Sequence, residues 1–208
     1  MRKITQLFLY VVIGAFIWGC ATLSNELKSF GAKAPRKLDS SPTETGLVVL
    51  DFKVTTKDVW GFKGSANVYT ASIQQLADGS EVLYSGPVYS GGFINPDNFG
   101  ILFQGLQPGQ YKLRTLNAKE ANPPTEIELN MSEERELEFK VKAGSLLYIG
   151  RCACLLKGNS YELSCQTDHP RELEVWQTIK KKYTVSKWDT IIDDKIESLK
   201  DSLNYEGT

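Results

Sequence analysis

The chain has 208 residues, of which 24 are lysine or arginine and 25 are aspartate or glutamate, so its formal charge is −1 at pH 7. Such a balance does not supply the positive surplus that neutralises nucleic-acid phosphates, so nucleic acid is not an expected partner. The length is sufficient for one domain with a sizeable hydrophobic core in addition to a leader segment.

The first twenty residues have the composition of an export signal. Arg2 and Lys3 form a positive start, and residues 4–19 contain no charged side chain. This apolar stretch is too short for a mature membrane-spanning helix, but it is typical of the apolar region of a signal peptide. The stretch runs directly into the tetrapeptide Ile17-Trp18-Gly19-Cys20.

This tetrapeptide resembles the lipobox of bacterial lipoproteins. Gly19 and the aliphatic Ile17 agree with that pattern, whereas Trp18 stands where a small residue is usual. The resemblance implies that Cys20 carries fatty acyl chains such as palmitate, becomes the first mature residue and anchors the protein to a membrane. In the sorting pattern of such lipoproteins, Ala21 favours the outer membrane, with the protein facing the periplasm. The alternative is an ordinary signal or anchor helix with an incidental cysteine.

Composition divides the chain into four parts. Residues 1–19 are the predicted signal peptide, and their removal leaves a charge of −3 because they carry two basic residues and no acid. Residues 20–45 have few large apolar side chains and end in serine, proline and threonine, which predicts a lipidated, flexible tether. Residues 46–167 show short strand-like segments with regular turns, and residues 168–208 change to helical spacing.

The strands are predicted from the alternation of apolar and polar side chains. In the first strand Asp51 and Lys53 form the predicted solvated face. The predicted buried face of that strand comprises Val48, Leu50, Phe52 and Val54. Further strands are predicted at 67–76, 81–90, 99–106, 110–113, 125–131, 134–142, 145–156 and 160–166.

A Pro-Gly turn joins the fourth and fifth of these strands. Proline presets φ, and we expect Gly109 to take the positive φ of a type II turn. Leu106, Pro108, Gly109, Tyr111 and Leu113 resemble the L-x-P-G-x-Y-x-L hairpin of transthyretin-like and carboxypeptidase-regulatory-like β-sandwiches, which also occur in uncharacterised bacterial lipoprotein families. With the strand count, this resemblance predicts a mainly β fold, an antiparallel transthyretin- or Ig-like sandwich of seven to nine strands with a C-terminal pair of helices.

Helical spacing begins at Asp168, which is a suitable N-cap, and Pro170 suits the first turn. The apolar stripe of this first helix is Leu173, Trp176, Ile179 and Tyr183. A second helix starts near Ser186, with the stripe Trp188, Ile191, Ile192, Ile196, Leu199 and Leu203. We expect both helices to pack on the sheet, since neither is long enough to be stable alone. The alternative is that one of them binds a partner.

No strong catalytic or metal-binding pattern is present. His169 is the single histidine, and one histidine does not supply the three or four ligands that zinc takes. A nucleophilic Cys154–His169–Asp168 arrangement needs an exposed thiol, whereas the strand pattern directs Cys154 inward. The Asn-Pro-Asp-Asn segment 95–98 has one carboxylate and is explained by turn formation rather than by calcium. We therefore expect no enzyme activity, no cofactor and no metal.

The sequence predicts one disulfide bond. Gly158-Asn159 is the signal of a two-residue hairpin turn, and counting outward from it places Cys152 opposite Cys165. A slip by one residue would set an apolar face against a solvated one. The pair falls at a non-hydrogen-bonded position, where the Cβ separation suits a disulfide, and an exported chain meets an oxidising compartment. Cys154 is expected to remain a thiol.

Aromatic side chains in two predicted loops are candidates for partner binding: Trp60, Phe62, Tyr89 and Phe93. They would form a patch for a protein, peptide or glycan, or else plug the ends of the core. The favoured function is a non-catalytic binding or assembly module with an envelope protein partner. The alternatives are a structural or surface-exposed lipoprotein with adhesin-like contacts and, less favoured, an envelope hydrolase or a lipoprotein of the type VI secretion kind.

Overall fold

The computed structural model describes residues 37–57, 63–85, 100–120, 125–131, 137–157 and 160–206. These ranges contain β1 (Gly46–Lys57), β2 (Lys63–Gln75), β3 (Glu81–Ser85), β4 (Ile101–Leu106), β5 (Gly109–Glu120), β6 (Glu126–Asn130), β7 (Glu138–Val141), β8 (Leu146–Lys157), β9 (Ser160–Gln166), α1 (His169–Lys182) and α2 (Asp189–Glu206). Each predicted strand and helix corresponds to one of these elements.

The nine strands form one mixed sheet in the order β6-β5-β2-β1-β8-β9, with β3 added to β2, β4 to β1 and β7 to β5. β1 and β8 run parallel, with Phe52 opposite Cys152, and the other pairings among the described strands are antiparallel. A mainly β fold with a C-terminal helical pair is therefore confirmed, but the expected all-antiparallel arrangement is corrected. Apolar alternation assigns side chains to faces and carries no information on strand direction.

The sheet separates into two branches at the β1–β2 hairpin. β1 and β2 pair only where Val54–Lys57 lies beside Lys63–Ala66. Beyond that, β1 belongs to a branch with β4, β8 and β9, and β2 belongs to a branch with β3, β5, β6 and β7. The two ends of the sheet approach each other, because the Tyr161 hydroxyl of β9 donates to the Asn130 carbonyl of β6 at 3.0 Å. The sheet is therefore curved like half a barrel.

The curved sheet encloses the main core on its concave face. This inner core consists of Val48, Leu50, Phe52, Val54, Ala66, Ala71, Ile73, Ile101, Phe103, Leu106, Tyr111, Leu113, Leu116, Ala118, Leu129, Met131, Leu137, Phe139, Val141, Cys152 and Cys154. Tyr84 of β3 packs edge-on against Phe103 of β4, with ring centroids 6.0 Å apart, so the two branches are in direct contact. Burial of this apolar surface is the main stabilising contribution to the fold.

The two helices cover the opposite, convex face of the β1 branch. They form an outer core of Leu38, Leu47, Val49, Val175, Trp176, Ile179, Tyr183, Val185, Trp188, Ile192, Ile196 and Leu199. The Asp168 carboxylate accepts from the Arg171 backbone N–H at 2.9 Å, and Pro170 lies in the first turn of α1. The predicted N-cap and the predicted packing of both helices on the sheet are confirmed.

The packed structure begins earlier than residue 46. Leu38 is only 1% exposed, and its N–H donates to the Thr184 carbonyl at 3.0 Å. The indole N–H of Trp188 donates to the Ser40 carbonyl, also at 3.0 Å. Residues 37–45, which the sequence assigned to the tether, thus lie against the helical pair because Leu38 fills a place in the outer core.

The β8–β9 hairpin has the predicted register. Cys152 lies opposite Cys165, and Cys154 lies opposite Leu163. The Cys152 and Cys165 sulfur atoms are 2.12 Å apart, the separation of a disulfide bond, while Cys154 lies in the inner core at 1% exposure. The inward direction predicted for Cys154 is confirmed.

The predicted type II turn at Gly109 is wrong. Gly109 begins β5 and does not have a positive φ, whereas Gly105 within β4 has a φ of 72°. The segment crosses from β4 in one branch to β5 in the other, so it does not close a hairpin of paired strands.

Candidate functional site

A cleft opens where the two branches separate. The pairing of β1 with β4 ends at Leu50, and its pairing with β2 begins at Val54. Between these points, residues 51–53 of β1 and residues 67–69 of β2 have no described partner strand on the edges that face each other. The resulting cavity has a volume of about 410 Å³. It lies at the branch point of the sheet, where the described edges of β1 and β2 diverge.

Gly100 forms part of the cleft wall, and this position requires glycine. A Cβ atom on Gly100 would lie 2.8 Å from the Leu50 carbonyl oxygen and 3.1 Å from the Phe52 nitrogen, and the φ of Gly100 is +94°. Both the close approach to β1 and the positive φ exclude a side chain here. The Tyr84 hydroxyl donates to the Gly100 carbonyl at 3.3 Å, which ties the start of β4 to β3.

One side of the cleft is a fixed charged cluster. The Asp51 carboxylate accepts from Arg171 Nε at 2.6 Å and from the Tyr148 hydroxyl at 3.4 Å. Arg171 Nη1 also donates to Glu174 Oε2 at 2.6 Å. Asp51 is 8% exposed, so its predicted place on a solvated face is corrected: α1 covers this part of β1 and supplies the partner for the carboxylate.

The surroundings of Arg171 and Tyr148 raise the pKa of both groups. Burial opposes the charge on Arg171, but the hydrogen bonds and charges of Asp51 and Glu174 outweigh it and raise the pKa of the guanidinium. Burial, followed by the negative charge of Asp51, raises the pKa of Tyr148. Arg171 is therefore a permanent cation and Tyr148 a neutral hydroxyl at physiological pH.

Two exposed cations lie beside this charged cluster, on β1 and β8. In the β1–β8 register Asp51 lies opposite Arg151 and Lys53 lies opposite Ala153, so Lys53 and Arg151 are diagonal neighbours on the convex face. Both are exposed, and within the described part of the chain neither forms an ion pair. Asp51, the carboxylate nearest to Arg151 in register, is already bonded to Arg171.

The remaining cleft residues are polar on one face of β2 and apolar toward the inner core. Ser65 and Asn67 supply a hydroxyl and an amide, whereas Phe52 and Val54 are 7% and 0% exposed and Val68 is half-buried. The exposed cations and neutral donors can bind a ligand that carries a negative group.

The other candidate catalytic residues do not come together at this cleft. Cys154 lies in the inner core, whereas His169 is half-exposed at the start of α1 on the convex face, 3.7 Å from Glu172. Cys154 and His169 are thus on opposite faces of the sheet. In the ranges that the structure describes, no group of three or more His, Cys, Asp or Glu residues could hold a metal ion.

Several predicted site residues lie outside the described residues: Cys20, Trp60, Phe62, Tyr89, Phe93 and the segment 95–98. Among the helices of the described ranges, none is long and apolar enough to cross a membrane. Comparison of the chain with known protein families, curated proteins and solved structures finds no match.

Proposed function

We propose that this protein is a non-catalytic binding module of the cell envelope, anchored through lipid on Cys20, and that the cleft between the two branches of its sheet engages the ligand or partner. The observation that supports the binding role is the cleft itself, which combines two cations that form no ion pair within the described ranges, Lys53 and Arg151, with strand edges that no described strand covers. The anchor rests on the charged start, the apolar stretch and the lipobox-like end of residues 1–20. An outer-membrane location facing the periplasm completes the proposal.

The surroundings of the cleft favour binding because they hold its walls in place before a ligand arrives. Arg151 directly precedes Cys152, which lies at disulfide distance from Cys165 on β9. On the adjoining strand β1, Asp51, which lies opposite Arg151, is fixed by Arg171 of α1. A site whose walls are already ordered loses less conformational entropy on binding.

We further propose that the fold is a variant of the transthyretin-like sandwich, in which the two branches correspond to the two sheets of the sandwich. Tyr111 supports this relationship, since its hydroxyl donates to the Gln107 carbonyl four residues upstream at 2.9 Å. A tyrosine that bonds back across a corner in this way is a recurrent feature of β-sandwich domains. The enclosure of one core by both branches agrees with it.

The lipid anchor is tested by changing Cys20→Ser in the full chain. The unchanged protein is expected in the membrane fraction, and the variant is expected as a soluble or uncleaved product, since stable anchoring takes more than one acyl chain. The intact mass of the mature protein should show an acylated N-terminus at Cys20. An unmodified N-terminus elsewhere would contradict the anchor.

The role of the cleft is tested by site-specific crosslinking in cells. A photoreactive amino acid replaces Asn67 in the cleft and, as a matched control, Lys140, an exposed residue of β7 outside the cleft. Adducts that form from position 67 and are absent from position 140 would support the proposal. Equal adducts from both positions, or none from position 67, would contradict a binding role for the cleft.

A further inference from the structure

We infer that the β8–β9 hairpin has a second disulfide-locked register, in which Cys165 pairs with Cys154 instead of Cys152. In this shifted register β9 lies two residues closer to the connected end of the hairpin. Internal thiol–disulfide exchange links the shifted register to the observed one. The shift also releases the N-terminus of α1, so the choice of partner for Cys165 is a switch that acts on the charged cluster beside the cleft.

Three cysteines lie on the inner face of this hairpin. Cys152 and Cys154 are two residues apart on β8 and are 0% and 1% exposed, and Cys165 of β9 packs against the same inner core. The observed disulfide joins Cys152 to Cys165, and Cys154 is a buried thiol. When ionised, a thiol so placed is a nucleophile next to a disulfide that it can attack.

A shift of β9 by two residues brings Cys165 opposite Cys154 and keeps every side chain on its face. A shift by one residue would turn Tyr161 and Leu163 away from the core, because side chains alternate with a period of two. Non-hydrogen-bonded positions alternate in the same way, so Cys154 occupies one just as Cys152 does. The Cβ separation at such a position suits a disulfide, whereas the diagonal from Cys154 to Cys165 in the observed register is too long.

The length of chain that each disulfide closes does not select one register. The sequence separation is 13 for the observed link, and between positions 154 and 165 it is 11. Because loop-closure entropy changes slowly with length, the two closures cost nearly the same. Lys157 lies opposite Ser160 in the observed register, so two residues connect the paired strands, and two residues also connect them after the shift. The folded surroundings of β9 therefore decide between the two registers.

Two contacts of the folded chain favour the observed register. The Tyr161 hydroxyl donates to the Asn130 carbonyl at 3.0 Å, and the shift displaces Tyr161 by about 7 Å, the rise of two strand residues. At the other end of β9 the shift draws Gln166 away from α1, and Thr167 alone separates Gln166 from the N-cap Asp168. One residue cannot absorb this displacement, because extended chain spans at most about 3.6 Å per residue. Asp168 therefore leaves the N-cap position when β9 shifts.

Release of Asp168 weakens the first turn of α1 and the ion pair that this turn carries. The Asp168 carboxylate accepts from the Arg171 backbone N–H at 2.9 Å, and Arg171 Nε donates to the Asp51 carboxylate at 2.6 Å. Loss of an N-cap leaves backbone donors of the first turn without their acceptor, so the turn that holds Arg171 frays. Asp51 lines the cleft, so its fixed position depends on which cysteine holds Cys165.

The exchange step needs no external oxidant. Cys154 ionises when the edge of the sheet opens, and its thiolate attacks the sulfur of Cys165. The S–S bond between Cys152 and Cys165 breaks, the bond between Cys154 and Cys165 forms, and Cys152 leaves as a thiolate that takes up a proton from water. Among the described strands β9 is paired only with β8, so its opening separates a single ladder.

The shifted register is tested in the full chain with Cys152→Ala, which removes the observed partner, and with Cys154→Ala as the matched control. Both proteins are oxidised in a mixture of reduced and oxidised glutathione, and non-reducing peptide mapping identifies the links. Cys152→Ala is expected to form a bond between Cys154 and Cys165, and Cys154→Ala is expected to keep the bond between Cys152 and Cys165. Absence of the Cys154–Cys165 bond in oxidised Cys152→Ala would overturn the inference.

Amide hydrogen exchange distinguishes a shifted strand from a link made without a shift. The Arg171 amide, which the Asp168 carboxylate protects, is expected to exchange about tenfold faster in oxidised Cys152→Ala than in oxidised Cys154→Ala, as for loss of an N-cap. The hydrogen-bonded Ile192 amide of α2 serves as the reference for overall stability. An equal ratio of the Arg171 and Ile192 exchange rates in the two variants would overturn the inference.

The internal exchange is tested during oxidative refolding of the unchanged full chain. The reduced chain is refolded with oxidised glutathione, and samples are trapped with acid at successive times. Both links are expected early in comparable amounts, since they close loops of similar length. The Cys154–Cys165 link should then convert to Cys152–Cys165 while the number of disulfide bonds stays constant. Formation of the Cys152–Cys165 link alone at every time would overturn the exchange.

Discussion

The two halves of β1 share one inner face but have different outer faces. Leu47 and Val49 in the first half are fully buried beneath the helices, whereas Lys53 in the second half is exposed beside the cleft. The inner face is apolar along the whole strand. The difference therefore arises from α1 and α2, which cover one half of the outer face and leave the other half exposed.

Asp51 marks the boundary between these two halves. Its carboxylate is buried and bonded to Arg171 of α1, and the next outward-facing residue along the strand, Lys53, is exposed. The ion pair between Asp51 and Arg171 fixes the position at which α1 stops covering β1. A buried carboxylate without this partner would be strongly destabilising. Substitutions around the covered half of β1 and around its open half test these two environments separately.

The largest expected effect comes from the covered half. Trp188→Ala removes a fully buried indole of the outer core and its hydrogen bond to the Ser40 carbonyl. We expect the free energy of unfolding to fall by about 3–5 kcal/mol, as in other aromatic truncations in cores. Guanidinium denaturation followed by circular dichroism measures this change.

Tyr205→Ala is the matched control, since Tyr205 is 85% exposed near the end of α2. Its expected effect is within about 0.5 kcal/mol. Comparable losses in the two variants would contradict the assignment of Trp188 to a packed outer core.

The second effect concerns the β8 wall of the open half. Replacing both Cys152 and Cys165 by alanine is expected to lower the free energy of unfolding by about 3 kcal/mol, because the closed loop restricts the unfolded chain. Non-reducing peptide mapping of the unchanged protein should show this link and a thiol at Cys154. A Cys154–Cys165 link, or three thiols in protein purified from cells, would show that the pairing is wrong.

Features of the fold that depend on nearby residues could be predicted from the sequence, whereas the pairing of distant strands could not. The β8–β9 register follows from a local two-residue turn, so the position of Cys152 opposite Cys165 was predictable. The helices follow equally from local spacing and from the Asp168 cap. The parallel pairing of β1 with β8 joins segments that are far apart in the chain, and no local pattern encodes it.

The cleft was missed for the same reason. The alternation of apolar and polar residues predicts that Lys53 and Asp51 lie on one solvated face of the strand. Arg171, which binds the buried Asp51 carboxylate, belongs to α1. Because α1 is far from β1 in the sequence, no local pattern indicates this ion pair. A signal for the covered half of β1 was nevertheless present. Leu47, Val48 and Val49 are consecutive apolar residues, and such a run indicates a strand buried on both faces.

A third and smaller effect is expected at the boundary itself. A double-mutant cycle with Asp51→Ala and Arg171→Ala should give a coupling energy of about 1–3 kcal/mol, because the pair is largely shielded from water. The exposed pair of Arg114 and Glu81, 3.1 Å apart, provides the comparison and should give less than about 1 kcal/mol. Equal coupling energies in the two cycles would contradict the special position of Asp51.

The smallest effect is a pH dependence that arises at the same boundary. Burial and the charge of Asp51 raise the pKa of Tyr148, so this contribution to stability is complete below the unfolded tyrosine value of about 10 and is lost as the pH rises above it. Between pH 8 and 11 the urea midpoint should therefore fall less in Tyr148→Phe than in the unchanged protein. An equal fall of the urea midpoint in the two proteins would show that Tyr148 ionises as readily in the folded state as in the unfolded chain.

The most direct test of the central claim, that the open half of β1 is the binding half, is photocrosslinking in cells from position 53 in that half and from position 181 on the exposed side of α1. We expect adducts from position 53 and none from position 181. Equal adducts from both positions, or none from position 53, would contradict the claim.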